Sequence, residues 1–283
     1  MSLINHSLKY IQALSLDVAL GGVIGAMFVA SYAHVSVGYQ TYVVLGATIW
    51  LIYTLDHLLD TKNAESAPIT FRHRFHWTYY TSLWGIWSFS LIMVLLLLYK
   101  LPNSTIWHGV IICGLVLSYF ISIKFINTSK IYHKEVVAAL IYSLGMFVPA
   151  ISLLTSRIGM DIWLLFVEFF AIALVNLLIF SVFERSIDKE DGFHSLVIAM
   201  DVKSVKSIAW GLILAVFVVA FIGTMLIQSK DFLVAQLLIA GMNGILALIL
   251  YKSDFFVMRG RYRLLGDAVF LIPGVYLLYD YVL

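Results

Sequence analysis

Charge is scarce in this chain. Only 12% of its 283 residues are charged, about half the share of a typical soluble domain. There is a single cysteine, Cys113, which excludes an intrachain disulfide and any cysteine-based metal cluster. In its apolar run, Cys113 reads as a small buried or lipid-facing residue. No polar stretch is long enough to form a separate soluble domain. The net charge of +2 gives no argument for a nucleic-acid partner.

What is abundant is apolar: 62% of the residues are hydrophobic. Soluble packing cannot hide that much apolar surface, whereas lipid can. A membrane-spanning helix needs roughly 20 mostly apolar residues, and such runs recur along the chain. The expected fold is all-α, a polytopic membrane protein with about nine transmembrane helices in one bundle. The spans fall at roughly 16–35, 41–59, 76–99, 105–124, 136–155, 162–183, 207–228, 232–251 and 264–282. The last contains Asp267, and Pro273 is expected to kink it. The run Leu16 to Ala30 resembles a signal peptide, but only Lys9 is basic before it, so it is read as a retained first helix. Gly21, Gly22 and Gly25 give that helix a small-residue face suited to close packing.

The basic residues test this count. With nine spans, 15 of the 18 fall on the side of the N-terminus, and only Lys100, Arg157 and Lys230 on the other. The positive-inside rule places the N-terminus and the even-numbered loops in the cytoplasm. The expected location is the plasma (inner) membrane of a prokaryote. A single transmembrane domain, 1–283, is expected, with loops 60–75 and 184–206 capping an active site.

Ionisable groups at membrane helix ends are costly and usually functional. The segment Asp56-His57-Leu58-Leu59-Asp60 ends span 2. Its aspartates are one helical turn apart on one face, where they repel each other. A bound Mg²⁺ would relieve that repulsion. The segment Glu184 to Asp191 ends span 6 at the same membrane side, and Glu184 and Asp188 repeat the spacing. Asp56, Asp60, Glu184 and Asp188 are the catalytic candidates, and with Asp191 they form the candidate metal set. Each cluster alone also reads as a solvated helix end or a surface salt-bridge network. Together, two facing carboxylate pairs could hold Mg²⁺ ions that bridge a diphosphate. Arg72, Arg74, Lys124, Lys130 and Lys134 are candidates to clamp its oxygens, with positive-inside topology as the plain alternative for each. A diphosphate at the rim of an apolar bundle implies an isoprenyl tail within it. Tyr119 and Tyr142 are candidates for lining that tail cavity, with ordinary packing the alternative. Asn176 could offer the tail or cation cavity a polar ligand, with a helix–helix hydrogen bond the alternative.

These residues resemble the UbiA superfamily of intramembrane prenyltransferases, which has nine helices and two aspartate-rich motifs on helices 2 and 6. Asp56 and Asp60 match the two aspartates of the first motif; Glu184 and Asp188 match the second. Asp191-Gly192-Phe193-His194-Ser195-Leu196 is similar to the continuation of that motif. The stretch from Tyr119 through Lys124, Lys130 and Lys134 to Tyr142 and Gly145 is similar to the basic loop 4–5 and helix 5. The chain departs from the pattern at Ile52, where the family has asparagine, at Glu184 in place of aspartate, and in its short spacing from Asp188 to Gly192. These departures point to a divergent branch. The resemblance implies a Mg²⁺-dependent enzyme that ionises an isoprenyl diphosphate and transfers the prenyl group to a lipid-soluble acceptor. The alternative is a terpene cyclase of the same fold, which the loss of asparagine at position 52 favours. A transporter would want more polar groups at the midplane than Asn176, Asn243 and the helix-breaking Pro149.

Glu168, deep in span 6, is expected to be hydrogen-bonded. Asp267 is expected to pair with Arg263 four residues before it. His57 lies between the motif aspartates, while His73, His76, His133 and His194 share no metal-ligand spacing and read as interfacial.

Overall fold

The computed structural model describes residues 2–62, 70–125, 134–190 and 196–282. In lipid, every backbone N–H and C=O must find its partner within the chain, and the apolar runs accordingly fold as helices, with no strand among the described residues. In chain order the helices are α1 Ser2–Ala13, α2 Leu16–Tyr32, α3 Tyr39–Lys62, α4 Phe71–Thr78, α5 Tyr80–Leu97, α6 Asn103–Phe125, α7 Lys134–Ile151, α8 Met160–Glu190, α9 Leu196–Ala199, α10 Val202–Leu226, α11 Lys230–Tyr251, α12 Ser253–Val257, α13 Arg261–Ala268 and α14 Gly274–Val282. Eight stretches are long and apolar enough to cross a membrane, and α2 is a shorter apolar helix. Together they account for the nine expected spans. The ninth is broken where expected: α13 passes through a tight turn at Val269–Leu271 to Pro273, and α14 starts after it. Proline supplies no N–H and clashes with the preceding turn.

The structure corrects the expected boundaries in three places. The start of the third span is a separate helix, α4, followed by α5. The first residues form α1, which packs on α4 through edge-on contacts of Tyr10 with Phe71 and Phe75. Loop 6–7 is partly helical, because α8 continues to Glu190 and α10 already starts at Val202. Asp201 sets that start: its carboxylate accepts from the Ser204 N–H at 2.8 Å and from the Ser204 hydroxyl, satisfying donors left open at a helix N-terminus.

The longest helix, α8, is the centre of the bundle and packs against α7, α10, α11 and α13. Leu165, Phe169, Ile172, Val175, Leu178 and Ile179 are buried along it. By contrast, α5 and α6 expose Ile86, Phe89, Leu95, Trp107, Val110 and Ile111. Such an apolar belt is normal against lipid. Inside the bundle, polar side chains join helices. Gln236 on α11 donates to Glu168 on α8 at 2.8 Å, as expected of a hydrogen-bonded glutamate. Asn243 donates to the Ile213 carbonyl at 2.9 Å, and the Thr105 and Ser152 hydroxyls meet at 2.8 Å. Interhelical bonds of this type contribute about 0.6–2 kcal/mol each.

The glycine face of α2 does what its spacing suggested. A Cβ on Gly21 would lie 2.8 Å from Cβ of Phe270, whereas one on Gly25 would meet the Met146 sulfur at 2.4 Å. A thioether end can swing aside, and a Cβ cannot. Gly21→Ala is therefore expected to lose about 1–3 kcal/mol through overpacking. Gly25→Ala should cost clearly less. Thermal melts of the two variants in detergent check the order.

The helix connections sort the polar contacts into two sets at opposite ends of the bundle. One end holds the Tyr32–Asp161 bond at 2.8 Å, the Ser31–Asp280 bond, and Asp231 between His34 and Tyr279. The other end holds Asp56, Asp60, Arg72, Lys134, Glu184 and Arg263.

Candidate active site

The last two turns of α3 carry Asp56 and Asp60, both half-buried, and His57, which is buried. Helix α4 folds back against them. It starts at Thr70, whose hydroxyl accepts from the His73 N–H at 3.4 Å and meets His73 Nδ1 at 2.6 Å. This cap fixes the first turn of α4 and turns Arg72 and His73 towards α3. Arg72 Nη1 reaches His57 Nε2 at 3.4 Å. The rings of His73 and His76 lie 5.4 and 4.9 Å from that of His57, and His76 Nδ1 meets the Arg72 carbonyl at 3.0 Å.

Lys134 opens α7 on the other side of the aspartates. The charge of Asp56 acts on it most strongly, followed by Tyr119, Asp60 and Glu135. Tyr119, half-buried on α6 beside Phe120, stands in the same field of Asp56, Lys134 and Asp60. Next to Lys134, the buried Glu135 accepts from the Leu196 backbone N–H at 2.7 Å. That bond ties the head of α7 to α9.

Glu184 has partners that its motif position did not suggest. Arg263 grips both its oxygens, through Nε to Oε1 and Nη2 to Oε2, and the Tyr262 hydroxyl donates to Oε1 at 2.7 Å. The expected pairing of Arg263 with Asp267 is thus corrected: the guanidinium reaches across from α13 to α8, because the fork matches a carboxylate on a facing helix better than one on its own turn. Glu184 serves here as the anchor of α13, and a metal would have to compete with Arg263 for it. Asp267 is buried, with Oδ2 unpartnered, in the field of Asp17, Arg72, Arg263 and Glu184. Asp17 heads α2 and was not singled out from the sequence. Arg72 stands between these acids. Burial, and then the neighbouring Arg263, lower its pKa, while Asp267, Glu184 and Asp17 act against the shift. A guanidinium remains charged throughout.

The other expected residues divide. Arg74 is exposed. Only the backbone is described for Asp188, one turn beyond Glu184 on α8, and for Lys124, at the end of α6. Lys130, His133, Asp191 and His194 lie outside the described residues. Tyr142 packs edge-on against Phe270 and donates to the Val18 carbonyl at 3.1 Å, which makes it a helix-packing residue. Asn176 is buried, with Oδ1 unpartnered, and a Cβ on Gly266 would come within 2.4 Å of that oxygen. It lies under α13. A small apolar groove between α8 and α10, lined by Leu164, Ile222 and Leu226 among others, is at the opposite end of the bundle and faces none of these acids.

Burial, and then Arg72 and Arg263, push His73 down to about 3 from 6.5. The folded chain holds a neutral ring while the unfolded chain protonates it below pH 6.5, so its stabilising contribution is full above 6.5 and falls as pH drops towards 3. Between pH 6.5 and 5, this one group should account for at most about 2 kcal/mol of lost stability. Melting curves in EDTA should show that part of the slope missing from His73→Gln.

No protein-family model and no curated protein matches the sequence. Solved structures do match its architecture. A UbiA homologue from Aeropyrum pernix K1, in its apo form, superposes with a TM-score of 0.66 at 11% identity, covering 96% of this chain and 98% of that one. A UbiA homologue from Archaeoglobus fulgidus bound to GPP and Mg²⁺ gives 0.61 at 11% identity, covering 95% and 99%. A digeranylgeranylglyceryl phosphate synthase gives 0.53 at 14% identity, covering 94% and 96%. At these identities the likeness is one of fold, and it spans nearly the whole length of each. The all-helical membrane bundle described above is the UbiA fold.

Proposed function

We propose that the chain is a Mg²⁺-dependent intramembrane enzyme that ionises an isoprenyl diphosphate and transfers the prenyl group to a lipid-soluble acceptor. The observation that carries this is the placement of Asp56 and Asp60 on one face of α3, opposite Lys134 and beside α4 with Arg72. Similar folds solved with GPP and Mg²⁺, or with DMAPP and Mg²⁺, support it.

The donor set fits the metal. Carboxylate oxygens with room left for water and phosphate suit Mg²⁺, which keeps several waters. Asp56 and Asp60 would hold it, joined by Asp188 and Asp191 from the second motif, while Glu184 keeps Arg263 in place. Bound there, Mg²⁺ would neutralise the diphosphate and make it a better leaving group. Lys134 and Arg72 would bind phosphate oxygens, and Tyr119, in the same field as Lys134, would line the start of the tail cavity. Arg74 is a further candidate on α4, and Lys124 and Lys130 are candidates from their sequence positions. The apolar bundle excludes water from the allylic cation. On the positive-inside bias this end faces the cytoplasm, with segments 60–75 and 184–206 as its cap.

Ile52, in place of the family's asparagine, favours a second reaction from the same ionisation, cyclisation of the prenyl cation to a terpene without any acceptor. Purified protein in lipid nanodiscs, given geranyl, farnesyl or geranylgeranyl diphosphate with Mg²⁺, tests both. Diphosphate release that needs Mg²⁺ and a lipid acceptor supports transfer. Release with a cyclic hydrocarbon or alcohol and no acceptor supports cyclisation. No Mg²⁺-dependent release from any of the three refutes the enzyme reading.

A further inference from the structure

We propose that His57, Asp60 and His73 form a binding site for a zinc-type divalent cation that joins α3 to α4 beside the aspartate rim. The three side chains each offer one ligand atom, and these atoms lie within 4.8 Å of one another. Tetrahedral Zn–N and Zn–O bonds of about 2.0–2.1 Å place ligand atoms about 3.4 Å apart, so modest rotation of the side chains closes the set. His57 and Asp60 are three residues apart on α3 and share a face. His73 comes from α4, which packs directly on α3. Sequence spacing could not reveal the set because its third member arrives across a helix–helix contact.

Two details point to a ligand. His57 is only 6% exposed, and its Nδ1 is buried with no hydrogen-bond partner, an arrangement that is costly unless something fills it. His73 meets the Thr70 hydroxyl through Nδ1 at 2.6 Å. With Nδ1–H donating to Thr70, the ring is held in the way outer partners hold metal-ligating histidines. Arg72 Nη1 lies 3.4 Å from His57 Nε2. With a metal on Nδ1, Nε2 would carry the imidazole proton and would no longer accept from Arg72.

Two imidazoles and one carboxylate select zinc, cobalt or nickel over magnesium, and three protein ligands leave a position open. The site therefore differs in chemistry from the all-oxygen Mg²⁺ rim, although Asp60 belongs to both. It stands or falls separately from the diphosphate reading.

The test uses the full chain in detergent, stripped with chelator and titrated with Co²⁺ as a spectroscopic probe, followed by Zn²⁺. One equivalent of Co²⁺ should bind with visible absorption and be displaced by Zn²⁺ but not by millimolar Mg²⁺. His57→Ala and His73→Ala should each weaken binding at least about 10-fold, while His108→Ala, a histidine on α6, leaves it unchanged. X-ray absorption at the zinc edge of the unsubstituted protein reads the ligands directly and needs no variant. An imidazole-containing N/O shell at about 2.0–2.1 Å supports the site. No saturable binding, displacement by Mg²⁺, equal affinity in all three variants, or a shell without imidazole would each overturn it.

Discussion

Asp56→Asn is expected to lower diphosphate release from a prenyl diphosphate by at least about 10³-fold, equivalent to about 4 kcal/mol of transition-state stabilisation. The amide keeps the size and the helix but removes the charge that faces Lys134 and one anionic oxygen from the proposed metal set. Interactions with charge that develops in the transition state are worth most in a dry site, so the loss should fall on kcat rather than on KM. Lys134→Met should instead raise KM, because Lys134 grips the diphosphate in ground state and transition state alike. Steady-state kinetics with a malachite-green or coupled diphosphate assay separates the two. A fall of less than tenfold in kcat for Asp56→Asn would remove Asp56 from the chemistry.

The second large effect concerns stability. Arg263→Ala is expected to destabilise the chain by about 3–5 kcal/mol, the usual cost of leaving a buried charge without its partner. Glu184 is buried, held by both arms of the guanidinium and by Tyr262, and α13 has no other salt bridge to α8 among the described residues. For a chain of this size the thermal midpoint should fall by about 10 °C. Glu184→Gln with Arg263→Gln should recover much of the loss, because two neutral amides can pair with each other and with Tyr262. A double-mutant cycle gives the coupling directly. If Arg263→Ala melts like the parent, the anchor role of Glu184 fails.

The spans were readable because lipid leaves the backbone one solution, and a run of apolar residues states it openly. The two bundle ends were readable from the split of the basic residues. The small helices α1, α4 and α9 were not, since they are polar or short and owe their shape to docking, as Tyr10 on Phe71 and Phe75 and the Glu135 bond to Leu196 illustrate. At the site, Asp56 and Asp60 were legible because both lie on one helix with a fixed period. The partner of Glu184 was not. Arg263 stands 79 residues away, and its nearer acid, Asp267, offered a local pairing that the fold does not use. Asp17 and the His57–His73 approach were hidden for the same reason: each depends on which helices touch. Tyr142 and Asn176 show the converse. Packing was the stated alternative to a tail cavity for both, and it was legible: Tyr142 meets the Val18 carbonyl and Phe270, and Asn176 the close approach of Gly266.

The central claim is that the end of the bundle carrying Asp56 and Asp60 holds a metal-bound diphosphate. A cryo-EM or crystal structure with Mg²⁺ and a non-ionisable geranyl thiodiphosphate measures it directly. Mg²⁺ should be bonded to a carboxylate oxygen of Asp56 or Asp60 at about 2.1 Å, with Lys134 and Arg72 on the phosphate oxygens and the tail running into the bundle. Analogue density at any other site, or bound analogue with no metal contacting either aspartate, would contradict it.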